Sequence, residues 1–287
     1  MKSFIECSAC MIRQSLEILN KHSTSNEQKS DILKLVLKAL SETTITSINP
    51  PQLTNKVHSI LKQELHIQDF YSEEKKESNK EALRLESFLN QLIASADNPL
   101  LTAAKLAIAG NVIDHGALAS FDLNETISTV LEDHFAIDHF DRFEELVSKP
   151  NRILYLGDNA GEIVFDKTFI SLLLKQHQTV IYAVKSAPVL NDVLLEDAKE
   201  TGLAAMIPVI ESGSTTAGTE PSEMNAEFRN YYTNSDLIIA KGLGNFETLY
   251  GLNDRKNKFF LFKVKCPHLG KYLNLSMKDI VFLEETF

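Results

Sequence analysis

The chain has 287 residues, 44% of them hydrophobic and 24% charged, and a formal net charge of −10. These are globular proportions, enough for a sizeable core in one large domain or two modest ones. An acidic chain without a dense Lys/Arg block is no general nucleic-acid binder, and any phosphate site in it needs a local cation.

No membrane span is expected. The best apolar stretch, Leu100 to Ala119, is broken by Lys105, Asn111, Asp114 and His115, and a span needs about 18 apolar residues without charge. The opening MKSFIECSAC lacks the apolar region of a signal peptide. Three cysteines do not make a disulfide scaffold at this size. A cytoplasmic protein is the expectation, and oligomeric state is not legible.

In chain order, Ile5 to Leu19, Asp31 to Leu40, Asn55 to Leu65 and Lys80 to Ala96 carry apolar residues at helical spacing. Asn49-Pro50-Pro51 and Asp97-Asn98-Pro99 read as breaks between them. The run Ser72 to Glu81 (SEEKKESNKE) reads as a solvated helix face or loop without a function. His134 and His139 flank Asp138, but their i, i+5 spacing does not share a helix face, so a linker is expected there.

Glycine then changes the rhythm: of the eleven, only Gly110 and Gly116 precede residue 150. Beyond it, β-rich runs recur at Arg152–Leu156, Thr179–Val184, Ala205–Ile210, Asp236–Ala240 and Phe259–Val264. Crossover helices fit between them at Glu162 to Lys175 and Asn191 to Thr201. The expectation is a helical domain over 1–149 that contributes to a cleft. An α/β domain over 150–287 follows, with a doubly wound, mostly parallel Rossmann-like sheet.

In such sheets ligands bind beyond the carboxyl ends of the strands. Three strands are followed there by polar, Gly- or Pro-rich text: Gly157-Asp158-Asn159-Ala160-Gly161-Glu162, Lys185 to Asp192, and Lys241-Gly242-Leu243-Gly244-Asn245-Phe246-Glu247. Asp158, Asn159 and Asp192 offer hard oxygen ligands suited to Mg²⁺ or Mn²⁺. Lys241 supplies a compact cation for a phosphoryl oxygen, and Gly161, Gly242 and Gly244 permit close backbone approach. Metal, lysine and backbone donors together are the parts of a phosphoryl-transfer site. Ser212 to Thr219 follows the third strand and is placed to add to binding.

These residues resemble the damage-control phosphatase family, also known as the domain of unknown function 89 family. The likeness runs from Cys7-x-x-Cys10 with Arg13-Gln14, through Gly110-Asn111-x-Ile113-Asp114, to GDNAGE at 157–162. It continues in Pro188-Val189-Leu190-Asn191-Asp192 with Asp197-Ala198, and in KGxGNFE at 241–247. The cysteine pair resembles the archaeal and bacterial branch. The resemblance implies a divalent-metal-dependent phosphatase of small phosphorylated metabolites, with Asp158, Asn159 and Asp192 holding the metal and Lys241 contacting phosphate. Asp158, Asp192 and Lys241 are then the catalytic set. Asn111 and Asp114 would reach the pocket from the helical part, and Glu162, Lys185, Gly242 and Asn245 complete the substrate-binding set. Lys185 stands where the pattern expects arginine, which keeps charge but loses the planar fork. The nucleophile is either water or Asp158, the latter forming an aspartyl-phosphate.

Cys7 and Cys10 share a helix face and are candidates for a second metal or a redox pair, with Cys266 and His268 as further ligands. The bland alternative is a pair of small packing residues. Two rival functions remain at this stage: a phosphometabolite- or nucleotide-binding protein without turnover, and an S-adenosylmethionine-dependent methyltransferase built on the strand–glycine-loop–helix of RILYLGDNAGE. Phosphate release activated by Mn²⁺, Mg²⁺, Co²⁺ or Ni²⁺ separates the phosphatase from both.

Overall fold

The computed structural model describes residues 1–23, 25–110, 127 and 129–285. Three helices open the chain: α1 (Cys7–His22), α2 (Asn26–Ser41) and α3 (Pro50–Leu65). They enclose a small core of their own built on Leu19, Val36, Leu53, Val57 and Leu61. Asn49-Pro50-Pro51, expected as a break, is the start of α3. The Asn49 side chain accepts from Gln52 N at 2.8 Å, and the Gln52 side chain accepts from Asn49 N at 3.2 Å. Proline fits there because the first helical N–H has no intrahelical partner to lose. Asn98-Pro99 opens α5 (Pro99–Ala109) in the same way.

Among the described residues the sheet has seven strands in the order β1-β7-β6-β5-β2-β3-β4. They are β1 (Ile137–Asp138), β2 (Arg152–Leu156), β3 (Thr179–Val184), β4 (Val209–Glu211), β5 (Leu237–Lys241), β6 (Lys258–Lys263) and β7 (Ile280–Glu285). Every neighbouring pair is parallel except β6–β7. Helices cover both faces, as a parallel sheet requires. Alternation along β2 shows it: Ile153 and Tyr155 face a core shared with α7 (Glu162–Lys175) and α5, whereas Leu154 and Leu156 face Phe228, Tyr232, Phe246 and Leu249. α4 (Ser72–Ser95) and α5 lie directly on α7, so residues before 150 supply part of the sheet's own core. The α/β expectation, doubly wound and mostly parallel, describes this architecture.

Two local expectations change. The run Ala205–Ile210 does not begin as a strand. After Gly202, Leu203–Met206 closes a helical turn, and β4 starts only beyond Pro208. Proline cannot donate to a ladder, and β4 is an edge strand of three residues. The antiparallel β7 and the short β1 were not expected at all. Among the described residues no helix is long and apolar enough to cross a membrane.

The strand order reverses at β2, with β3 and β4 on one side and β5 and β6 on the other. Their carboxyl ends flank the crevice where such sheets bind ligands.

Candidate active site

The loops after β2, β3 and β5 meet at that crevice. Asn159 and Asp192 form an antiparallel bridge, Val193 N donates to Asp158 O at 2.8 Å, and Ala160 N donates to Asn191 O at 2.9 Å. Backbone pairing thus sets Asp158, Asn159 and Asp192 side by side. Gly242, at φ 77°, lies against the Asp158 carboxylate: a Cβ there would stand 1.9 Å from Oδ2. Only glycine fits at that approach. Gly157 is equally constrained, since a Cβ would stand 2.4 Å from the Tyr182 hydroxyl.

A pocket of about 240 Å³ opens over these groups, lined by Asp158, Asn159, Asp192, Gly244, Glu247 and Lys265 among others. Pro51 and Thr54 of α3 also line it, so the helical part contributes to the pocket. A larger cleft of about 420 Å³ between α4 and Leu195–Glu200 contains neither Asp158 nor Asp192. The chemistry-bearing side chains are in the smaller one. Burial, reinforced by the neighbouring Asp192 carboxylate, pushes Asp158 up to about 7. Two adjacent buried carboxylates are an arrangement that favours a bound cation. The donor set fits. The Asn159 amide nitrogen donates to Glu162 Oε1 at 2.6 Å and Asp158 Oδ2 at 3.1 Å, so Oδ1 is the atom left to offer a cation. Among the described residues no group of three or more His, Cys, Asp or Glu side chains is arranged to hold a metal. The candidate set here is two carboxylates and an amide.

Lys241 occupies a different place from the one expected. Its side chain is 1% exposed, and Nζ donates to Ala107 O at 2.7 Å, Asp166 Oδ1 at 2.6 Å and Glu162 Oε2 at 3.2 Å. An ammonium has three protons, so none is left for a phosphate. Burial would weaken its hold on a proton, but Asp166 and Glu162 outweigh that and keep it above the usual lysine value. Asp166, fully buried, also accepts from Tyr155 at 2.6 Å and Tyr182 at 2.9 Å. Glu162 is pushed up to about 8 by burial, against the pull of Lys241. This network lies beneath the GDNAGE loop and, through Glu162, holds Asn159 in orientation.

Among the described residues the cation that does line the pocket is Lys265, an exposed residue two positions beyond β6. Sequence reasoning missed it, although the rule that located the other loops also covers the text after the fifth β-rich run. Lys185 is buried 3.5 Å from Asp192 Oδ2 and also donates to Gly218 O. Burial, opposed by Asp192, holds its ammonium below the usual lysine value. Asn245 is structural as placed: its amide donates to Gly157 O at 3.2 Å and Lys241 O at 2.7 Å, and its oxygen accepts from Thr219. Of Ser212–Thr219, only Ala217 lines the pocket, while Ser214 and Thr216 bond to Glu223. Asn111 and Asp114 lie outside the described residues.

The SEEKKESNKE run reads as a solvated helix face or loop, yet it is helical with Lys75 and Asn79 buried, and Asn79 supports the site. Asn79, fully buried on α4, accepts from Gly161 N at 2.7 Å and donates to Asp197 Oδ1 at 2.8 Å. Lys75, one turn earlier, is buried against Asp69 at 2.7 Å. Cys7 and Cys10 stand half-buried on α1, outside the pocket lining, and all three cysteines are free thiols. Burial pushes the Cys7 thiol up to about 11.

Residues 3–281 match the model of the damage-control phosphatase ARMT1-like domain. The chain belongs to this family. A damage-control phosphatase of Pyrococcus horikoshii is 32% identical over all of this chain and 99% of its own length. An uncharacterised protein of Methanocaldococcus jannaschii is 31% identical over 97% of this chain and 94% of its own. The crystal structure of a family protein from Pyrococcus horikoshii superposes with a TM-score of 0.90 at 30% identity, covering 99% of both chains. Membership supports a phosphatase function for the site just described.

Proposed function

We propose that this chain is a divalent-metal-dependent phosphatase of small phosphorylated metabolites, such as sugar phosphates or phosphorylated cofactor fragments. The observation that carries the reading is the set of Asp158, Asn159 and Asp192 oxygens at the sheet's switch point, facing a small pocket with a lysine on its wall. These three residues would hold the ion, and when bound it supplies Lewis-acid polarisation of the phosphoryl group. Lys265 meets the phosphate oxygens from the mouth, which gives an acidic protein the local cation it needs. Lys185 fixes Asp192, and Glu162 with Lys241 beneath it fixes Asn159. A pocket of about 240 Å³ suits one small ester and excludes a polymer.

The test is phosphate release from 4-nitrophenyl phosphate and a panel of phosphometabolites, with Mn²⁺, Mg²⁺, Co²⁺ or Ni²⁺ supplied in turn. Metal-activated hydrolysis is expected, abolished by Asp158→Ala. Turnover without added metal after chelation, or full activity in Asp158→Ala, would overturn the assignment.

A further inference from the structure

Among the described residues four titratable side chains line the pocket: Asp158, Asp192, Glu247 and Lys265. The first two are the proposed metal ligands and the last is the proposed phosphate contact. Glu247 is left without a role. It belongs to α11 (Gly242–Leu249), whose first residue is the glycine packed on the Asp158 carboxylate. Leu243, Gly244 and Glu247 all line the pocket, and their i, i+1, i+4 spacing makes them one helix face. Side chains on a helix lean toward its N-terminus. The Glu247 carboxyl therefore leans back toward the end that carries Gly242 and Asp158.

We propose that Glu247 is the general acid that protonates the leaving alcohol of an alkyl phosphate. The inference rests on the phosphatase reading above. In the step, the nucleophile attacks phosphorus while the ester P–O bond breaks and its electron pair stays on the leaving oxygen. That oxygen takes the Glu247 proton and departs as the alcohol. With water as nucleophile, one of its protons remains on the phosphate and the other passes to solvent, from which Glu247 is reprotonated. Charge and atoms balance as ester plus water giving alcohol plus hydrogen phosphate.

A second observation supports the assignment. Burial, the largest cause, pushes Glu247 up to about 8, against the pull of the Met1 ammonium and with a smaller push from Asp158, which is the direction a proton donor needs. The Met1 ammonium donates to the Glu247 backbone oxygen at 2.5 Å, which ties this turn of α11 to the N-terminal segment. A general acid needs both the proton and a position on the reacting side of the pocket.

The leaving group supplies the test. A nitrophenolate departs without a proton, whereas an alkoxide needs one. Wild type and Glu247→Gln are compared on 4-nitrophenyl phosphate and glycerol 3-phosphate with the activating metal present. The variant should lose roughly 10²- to 10⁴-fold more kcat on the alkyl ester than on the aryl ester. Should Glu247→Gln not fold, Glu247→Asp serves the same comparison. It keeps an acid one methylene short, and the ratio should still fall by at least about tenfold. An equal loss on both esters, or no loss on either, overturns the role of Glu247 and leaves the phosphatase reading standing. A wild type that cleaves the aryl ester but no alkyl ester overturns it too. A wild type that cleaves neither with any metal overturns the phosphatase reading itself.

Discussion

Lys241 shows how a charged residue can serve a site without touching its ligand. Its ammonium is the only cation bonded to the buried Asp166 and Glu162 carboxylates among the described residues. Removing one partner of a buried ion pair strands the other, at a cost of about 3–5 kcal/mol. Lys241→Met should therefore destabilise the fold by an amount in that range, read as a fall in the urea midpoint. Adding Asp166→Asn should restore part of the loss, because one stranded charge is gone. Wild-type stability in Lys241→Met would mean that the network is dispensable. The nearness of Asp158, Asn159 and Asp192 was legible in the sequence, since each follows a strand whose neighbours the βα rhythm fixes. The burial of Lys241 was not. Nothing in KGxGNFE shows that Ala107 of α5 and Asp166 of α7 close over the ammonium.

At the scale of elements, what could be read was what local chemistry decides. The β2, β3 and α7 boundaries match the expected ones because apolar runs end at glycine or polar punctuation on both sides. Elements set by tertiary pairing escaped, above all β1, two residues long and paired with β7. The α1–α3 bundle carries a different kind of prediction. His58 is 2% exposed, and its Nε2 lies 3.0 Å from Gln14 Oε1. Burial, with Lys62 nearby, pushes it down to about 4. The folded chain thus resists a proton that the unfolded chain accepts near 6.5. The linkage favours the fold fully above about 6.5 and is lost as pH falls toward 4. Between pH 7 and pH 5 the wild type should lose about 2 kcal/mol more stability than His58→Gln, measured by urea unfolding at each pH. Parallel losses in both proteins would remove His58 from the account.

Over the whole molecule, the acidity that argues against polyanion binders is compatible with the proposed phosphate site, because acidic residues would make its cation site and Lys265 lines the same pocket. The uneven placement of glycine marks where the main run of strands begins, at β2, although β1 precedes it. It could not show how the two parts interlock. That is done by polar side chains on helices whose sequence looks solvated, and Asn79 is the most consequential. It reaches from α4 to the GDNAGE loop through Gly161 and to the following crossover through Asp197. Its neighbour Ser78 packs so closely that a Cβ on Gly161 would stand 3.0 Å from the Ser78 Cβ. Periodicity gave no sign of this, because the buried stripe Lys75–Asn79–Ala82 is largely polar and hydrophobic spacing cannot find it. Asn79→Ala would leave the Gly161 N–H without its acceptor and remove a hydrogen bond from the Asp197 carboxylate, in a place closed to solvent. The expected cost is about 1–3 kcal/mol of stability, with a drop in metal affinity as the loop carrying Asp158 and Asn159 loses its anchor. Urea unfolding and calorimetric titration of Mn²⁺ into the metal-free protein would measure the two effects. Loss of stability with unchanged metal affinity would make Asn79 a packing residue only. Loss of both would place the α4 contact among the determinants of the site.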